Sequence, residues 1–145
     1  TLDELSGDTH FKRIMSDRMD IPDEKVERLI LCTGKVYYDL AERRDELGLE
    51  NTSIVRIEQL YPFPLDPLVI RLKRMKNLKT VVWAQEEPKN QGYWFFTEHY
   101  IERALDGADS KPQRPIYAGR KPSAAPPLAL PAVMPHNRNN WSKTR

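Results

Sequence analysis

Two adjacent carboxylates, Glu86 and Glu87, are the residues of this sequence best suited to acid–base work. A carboxyl that a substrate can reach can take or give a proton, and two together can divide those roles. Neighbours on an extended segment point apart, so a cooperating pair needs a bend, and Pro88 is the residue placed to supply one. The plainer reading is that one of them caps the following helix or meets a base across an interface, because a carboxylate near a helix start is stabilised without any catalytic role. We prefer the plainer reading.

Other chemistries have weaker support. Thr33-Gly34-Lys35 has the ending of a phosphate loop, but the second glycine such a loop needs, five residues before Gly34, is replaced by Leu29. Gly34 therefore reads as room for a strand-to-helix turn. The six glycines are scattered and form no dinucleotide cradle. His10, His99 and His136 lie far apart and none sits four residues from another possible ligand, whereas a metal site requires at least three ligands together. Cys32 is alone, which excludes an intramolecular disulfide framework and a cysteine-clustered metal site. Placed at the end of an apolar run, it reads as a small core residue.

Composition bounds the rest. The 145 residues hold 23 Lys+Arg against 21 Asp+Glu, a net charge of +2, so no overall field steers the chain toward nucleic acid or an acidic substrate. With 39% hydrophobic and 30% charged residues there is apolar matter for one core. No apolar run approaches the roughly 18 residues of a membrane span, and the N-terminus lacks the order of a signal peptide. The expectation is an aqueous, reducing compartment, with neither membrane nor nucleic acid as partner.

These residues have to be positioned by regular elements, and the hydrophobic pattern supplies them. Val26–Cys32 reads as a buried strand. Thr33 then offers a helix cap, and Val36, Tyr37, Leu40, Arg44 and Leu47 share one side of a helix that Gly48 ends, with Asp39 and Arg43 supporting its outer face. Ser53–Leu60 is a second strand, followed by an extended turn, Tyr61-Pro62-Phe63-Pro64. Asp66-Pro67 starts a helix with Leu68, Leu72 and Met75 as its inner stripe. Lys79–Ala84 is a third strand, Gln85–Gln91 a polar loop, and Gly92–Leu105 a helix crowded with Tyr93, Trp94, Phe95, Phe96 and Tyr100. Rings on more than one side imply burial on more than one side, by core and by a neighbouring domain or subunit.

Strands separated by single helices predict an α/β fold: three layers, a mostly parallel doubly wound sheet with helices on both faces, and an edge strand near 114–118 that contains Pro115. Ligands gather at the carboxyl ends of such strands, here Cys32 to Lys35, Gln59 to Tyr61, Gln85 to Glu87, and Gly119-Arg120. Three regions follow. Residues 1–25, with seven acids and four bases, form a lead-in segment; residues 26–119 form the domain; residues 120–145 form a Pro-rich basic tail, extended or disordered. From residue 111 to the end there are seven prolines, seven bases and no acid.

Four stretches carry a resemblance: Leu31–Leu40, Ile54–Pro64, Trp83–Gly92 and Tyr117–Pro126. In this order they resemble the C-terminal domain of the E1 component of 2-oxoglutarate dehydrogenase, a transketolase-like C-terminal domain. Looser versions of Arg56–Asp66 and Trp83–Gly92 recur in transketolase-type C-terminal domains generally. E1 proteins of that family use thiamine diphosphate and Mg²⁺ to decarboxylate 2-oxoglutarate and pass the succinyl group to the lipoyl arm of the E2 succinyltransferase. Their diphosphate and metal are held by a Gly-Asp-Gly motif with a later Asn, and the cofactor ring by a glutamate of a preceding domain. Neither motif is present here, since Asp106-Gly107 is preceded by Leu105.

The resemblance thus implies a non-catalytic part that binds no cofactor and turns over nothing alone. It implies packing against the remaining E1 domains and a second E1 subunit, in a bacterial cytoplasm or a mitochondrial matrix, within the E2-containing complex. In some members this domain also contributes to an effector site for acetyl-CoA, and Arg120 and its neighbours suit an anionic effector. The effector or interface residues expected on this basis are Lys35, Tyr61, Gln85, Glu86, Glu87, Asn90, Gln91, Trp94, Arg120 and Ser123. No residue is expected to be catalytic. Beyond Pro126 the sequence leaves the pattern, which usually ends in an acid-containing helix. The competing expectations are a free-standing doubly wound enzyme using Glu86 or Glu87, and an anion- or nucleic-acid-binding module using the basic tail.

Overall fold

The computed structural model describes residues 11–124. The elements run in the order β1 (Ile14–Met15), β2 (Arg28–Cys32), α1 (Val36–Glu46), β3 (Thr52–Ile57), α2 (Leu65–Arg74), β4 (Thr80–Pro88), α3 (Trp94–Gly107) and β5 (Ile116–Arg120). A single 3₁₀ turn, Asp23–Lys25, precedes β2. The sheet has five strands in the order β1-β3-β2-β4-β5. β3, β2, β4 and β5 are parallel neighbours. β1 adds an antiparallel edge, pairing Ile14 with Ile57.

Side-chain alternation along the strands makes two cores. Leu29 and Leu31 of β2, Val55 and Ile57 of β3, and Val81 and Trp83 of β4 turn to one face, where Leu68 and Leu72 of α2 and Ile101, Ala104 and Leu105 of α3 cover them. Cys32, Ile54 and Ala84 turn to the other face, where α1 supplies Val36, Tyr37 and Ala41. One helix therefore lies on one face and two on the other, the predicted three layers. Removing a side chain of the size of Leu29 or Ile101 from water contributes about 2–3 kcal/mol, so the two-helix face dominates the cohesion of the fold.

Several local expectations need correction. The sheet is mixed because residues 11–25, expected as a lead-in segment, contribute the antiparallel edge strand. α1 begins after Lys35 without a side-chain cap, so Thr33 does not cap it. Its buried stripe is Val36, Tyr37, Ala41 and Arg44, while Leu47 is exposed. Arg43 pairs with Glu46 at 2.7 Å and not with Asp39. Leu65 begins α2 behind Pro64, which leaves Asp66 in the first turn with no capping bond. β4 runs on through Gln85–Pro88, a stretch read from its polarity as loop. The edge strand sits at 116–120, because Pro115, buried and without an amide to donate, stands before it. Gly48 does end α1 in the left-handed region, φ +61°. The expectations for residues 1–10 and 125–145, including His10, His136 and the order of the tail, lie outside the described residues.

Candidate functional site

The chain steps from β2 sideways to β3, then crosses back to β4 on the other side, so the direction of winding reverses between β2 and β4. In open α/β sheets the crevice beyond the carboxyl ends at such a reversal is where ligands sit. Gly34 turns the chain there, at φ +69° with open space where a side chain would stand. The turn sends Lys35 out to solvent, and its Nζ lies 3.9 Å from Glu86 Oε1. Two expected residues from different strand ends thus meet across the reversal. Glu86 and Glu87 are consecutive residues of β4 where its register against β5 shifts between Ala84 and Pro88, and both are half-buried.

Gln85 is buried and every polar atom of its side chain is used. Its Oε1 accepts from Trp83 Nε1 at 2.9 Å and from the backbone N–H of Trp94 at 3.0 Å. Its Nε2 donates to the carbonyls of Glu87 and Pro88 at 3.2 and 3.1 Å. One carboxamide therefore ties the strand's end to the first residue of α3, which has no side-chain cap of its own. Glycine is needed at position 92, because a side chain there would collide with the Gln85 amide. On the neighbouring strand a Cβ at Gly119 would stand 2.5 Å from Tyr117 Oη and 2.8 Å from the Gln85 carbonyl. Tyr117 packs edge-on against Trp94, 5.3 Å between ring centres, and its hydroxyl donates to the Arg120 carbonyl at 2.7 Å. Burial raises its pKa.

The turn beyond β4 holds the chain that leaves β5. Asn90 Nδ2 donates to the Ser123 carbonyl and Asn90 Oδ1 accepts from the Ser123 N–H, both at 3.0 Å. Gln91 Nε2 donates to the same carbonyl at 2.7 Å. Lys89 donates its N–H to the Arg120 carbonyl, and its ammonium lies 5.4, 5.9 and 5.2 Å from the rings of Trp94, Phe95 and Tyr117. Gln85, Asn90, Gln91, Trp94, Arg120 and Ser123 are thus one connected group, and Lys35 and Glu86 adjoin it at the next strand. Tyr61 stands apart at the end of β3, 79% exposed.

Two clusters escaped the sequence reading. The Arg56 guanidinium at the end of β3 lies 5.0 Å from the centre of the Tyr37 ring and 5.6 Å from that of Tyr38, and its Nε sits 2.7 Å from Glu58 Oε1. Asp17 accepts from Arg44 of α1 and, at 2.6 Å, from the N–H of Ile54. An arginine on the inner stripe of α1 was the available signal for the second, since a buried charge needs a partner. Cys32, beneath α1, has its thiol pushed up to about 12 by burial, against the pull of the Arg56 charge, and is inert at neutral pH.

Exposed rings at the carboxyl ends of the strands or on the helix starts beyond include Tyr38, Tyr61, Tyr93 and Phe95. Among the described residues no three His, Cys, Asp or Glu are grouped to hold a metal. These residues do not fit a thiamine diphosphate–Mg²⁺ site. Among them no helix is long and apolar enough to cross a membrane.

Comparison with known proteins places this geometry. A family model described as 2-oxoglutarate dehydrogenase C-terminal matches residues 1–141, which takes in both flanks of the stretch on which the resemblance was read. The 2-oxoglutarate dehydrogenase E1 components of Brucella anthropi, Brucella ovis and Brucella abortus are each 43% identical to the chain over 139 residues. The match covers 90% of this chain and 14% of each relative, so the chain spans about one-seventh of the proteins it matches.

Proposed function

Because the chain belongs to the 2-oxoglutarate dehydrogenase C-terminal family, we propose that it serves as the C-terminal domain of a thiamine-diphosphate-dependent E1 component, acting by assembly and not by chemistry of its own. In that role it is a portion of an oxidoreductase of the tricarboxylic acid cycle. The enzyme decarboxylates 2-oxoglutarate and hands the succinyl group to lipoyl-E2, in a bacterial cytoplasm or a mitochondrial matrix. Thiamine diphosphate and Mg²⁺ belong to the other E1 domains. This domain packs on those domains and on a second E1 subunit.

One observation supports the assembly role above the others. Tyr61, Tyr93 and Phe95 are 79%, 47% and 57% exposed at one end of the sheet, and large rings left in water at a single end favour burial against a neighbour. The group beside them, Lys35, Gln85, Glu86, Glu87, Asn90, Gln91, Trp94, Arg120 and Ser123, is the interface or effector site of this reading. Arg120 and Lys89 give it the positive charge that an anionic effector such as acetyl-CoA needs.

The test uses a chimera in which this chain replaces the matching segment of the Brucella anthropi E1 component. The chimera is expected to remain dimeric and to turn over 2-oxoglutarate. Exchanging Tyr61 and Phe95 for Ser should shift it toward monomer in analytical ultracentrifugation, while the 145-residue chain alone shows no turnover with thiamine diphosphate and Mg²⁺. Turnover by the chain alone, or a dimer indifferent to both exchanges, would overturn the reading.

A further inference from the structure

Strand β5 forms the border of the sheet opposite β1, and its partners lie on β4: Val82 with Ile116, Trp83 with Tyr117, Ala84 with Ala118. Among the described residues nothing pairs with its other side. The Arg120 carbonyl accepts from Lys89, so the peptide groups of Arg120 turn toward β4. Alternation along a strand then turns those of Tyr117 and Gly119 outward. A row of free N–H and C=O groups is a template for another extended chain.

Charge narrows what that chain can be. Lys111, Arg114, Arg120 and Lys121 flank the border, all exposed, and no acid lies between residues 111 and 124. Among the described residues only Arg114 of these has a carboxylate within ion-pair distance, Glu102 at 3.4 Å. Two copies of β5 laid side by side would bring these bases together, and like charges opposed across strands are destabilising. An acidic strand meets the opposite situation. Beside the border, Ile116 is 42% exposed and Val82, its partner, is half-buried on the face that α1 leaves open. Apolar side chains at alternate positions of an incoming strand would rest there.

We propose that the free border of β5 receives an extended acidic segment of a partner polypeptide, with alternating acidic and apolar residues, as an added strand. This surface adjoins the exposed Phe95 through Lys89 and shares Arg120 with the group described above, but the outer side of β5 is available whether or not that group binds an effector.

The experiment uses the whole chain and a labelled peptide of about ten residues, the length of a long strand, with Glu and Val alternating. Fluorescence anisotropy should show binding about tenfold tighter than for the Lys–Val counterpart, weakening with salt. Hydrogen exchange should show the Tyr117 and Gly119 amides protected by the peptide. Reversing Arg114 and Lys121 to Glu should invert the preference, and the peptide pair on the unaltered chain decides the matter even where that variant does not fold. Equal affinity for both peptides, or binding unchanged when alternate peptide amides are N-methylated, overturns the proposal. So does self-association that protects the same two amides, which assigns the border to a second copy. Displacement of the peptide by a DNA duplex with those amides left unprotected assigns the charge to nucleic acid instead.

Discussion

Asp17 and Arg44, twenty-seven residues apart, form an ion pair in which both side chains are only 2% exposed. The pair fastens the segment before β2 to the inner side of α1, and Asp17 also accepts the N–H of Ile54 in β3. A charge at that depth is tolerated because it is matched and hydrogen-bonded. Arg18 and Asp45 extend the clasp at the surface.

Asp17→Ala should therefore destabilise the chain by about 3 kcal/mol, since it removes the buried one of the two carboxylates on the Arg44 guanidinium, leaving only the part-exposed Asp45 at 3.0 Å, and strips the Ile54 N–H of its acceptor. Urea unfolding with an unchanged slope and a lowered midpoint is the expected result. A loss within about 0.5 kcal/mol, the usual range for a surface change, would mean that residues 11–25 are not integral to the fold.

Gln85→Leu fills similar space but orphans Trp83 Nε1 and the Trp94 N–H, at a cost of about 2–4 kcal/mol for two buried donors. The neighbouring exchanges Glu86→Gln and Glu87→Gln should each stay within about 0.5 kcal/mol. Chemical denaturation monitored by tryptophan fluorescence checks both. Equal losses at all three positions would sink the assignment of Gln85 as the tie between β4 and α3.

Two glycines should behave differently. Gly34→Ala strains only the backbone, at about 1 kcal/mol, because nothing stands where the methyl would go. Gly119→Ala meets Tyr117 and the Gln85 carbonyl, and overpacking of this kind costs about 1–3 kcal/mol. Placing Gly119→Ala in a Tyr117→Phe background should recover part of the loss, since the hydroxyl is the nearest obstacle. A double-mutant cycle on thermal unfolding measures that coupling.

The chain should lose stability at both extremes of pH. The side-chain bond from Lys79 holds Glu27 below its ordinary 4.5, and the bond from Arg18 holds Asp45 below its ordinary 3.8. The folded chain then binds fewer protons than the unfolded one, so their contribution is complete above these ordinary values and lost as pH falls through the folded ones. Cys32 acts at the other end. Its thiol, raised by burial from 9.0 to about 12, contributes stability that is complete below 9.0 and lost as pH rises toward 12. Circular dichroism melts across pH should decline on both sides, and Cys32→Ser should flatten the alkaline decline.

Much of the fold was legible because its long elements carry strong periods. Leu68, Leu72 and Met75 are all buried, as their spacing required, and both turn glycines of positive φ lie where helix starts and ends were expected. What escaped has physical reasons. β1 is two residues long, too short to show a period, and exists because the β3 edge accepts it. Gln85–Pro88 looks like loop because polarity marks loops, yet these residues satisfy one another and the strand continues. In the site, the strand ends pointed to Lys35, Glu86 and Arg120. Arg56, Lys89 and Tyr117 owe their parts to neighbours on other elements, which no local spacing reveals.

The unequal division of helices sets the order in which the molecule comes apart. α1 is held by a small group, Cys32, Val36, Tyr37, Ala41, Ile54 and Ala84, and by the Asp17 clasp, whereas α2 and α3 share the larger core with each other and the sheet. Partial opening should begin by lifting α1 alone, baring the Cys32 thiol while the opposite side stays shut. Native-state thiol labelling would then run ahead of global unfolding, and amides of α1 would exchange before those of α3, which gives this polypeptide a hinge side and an anchored side.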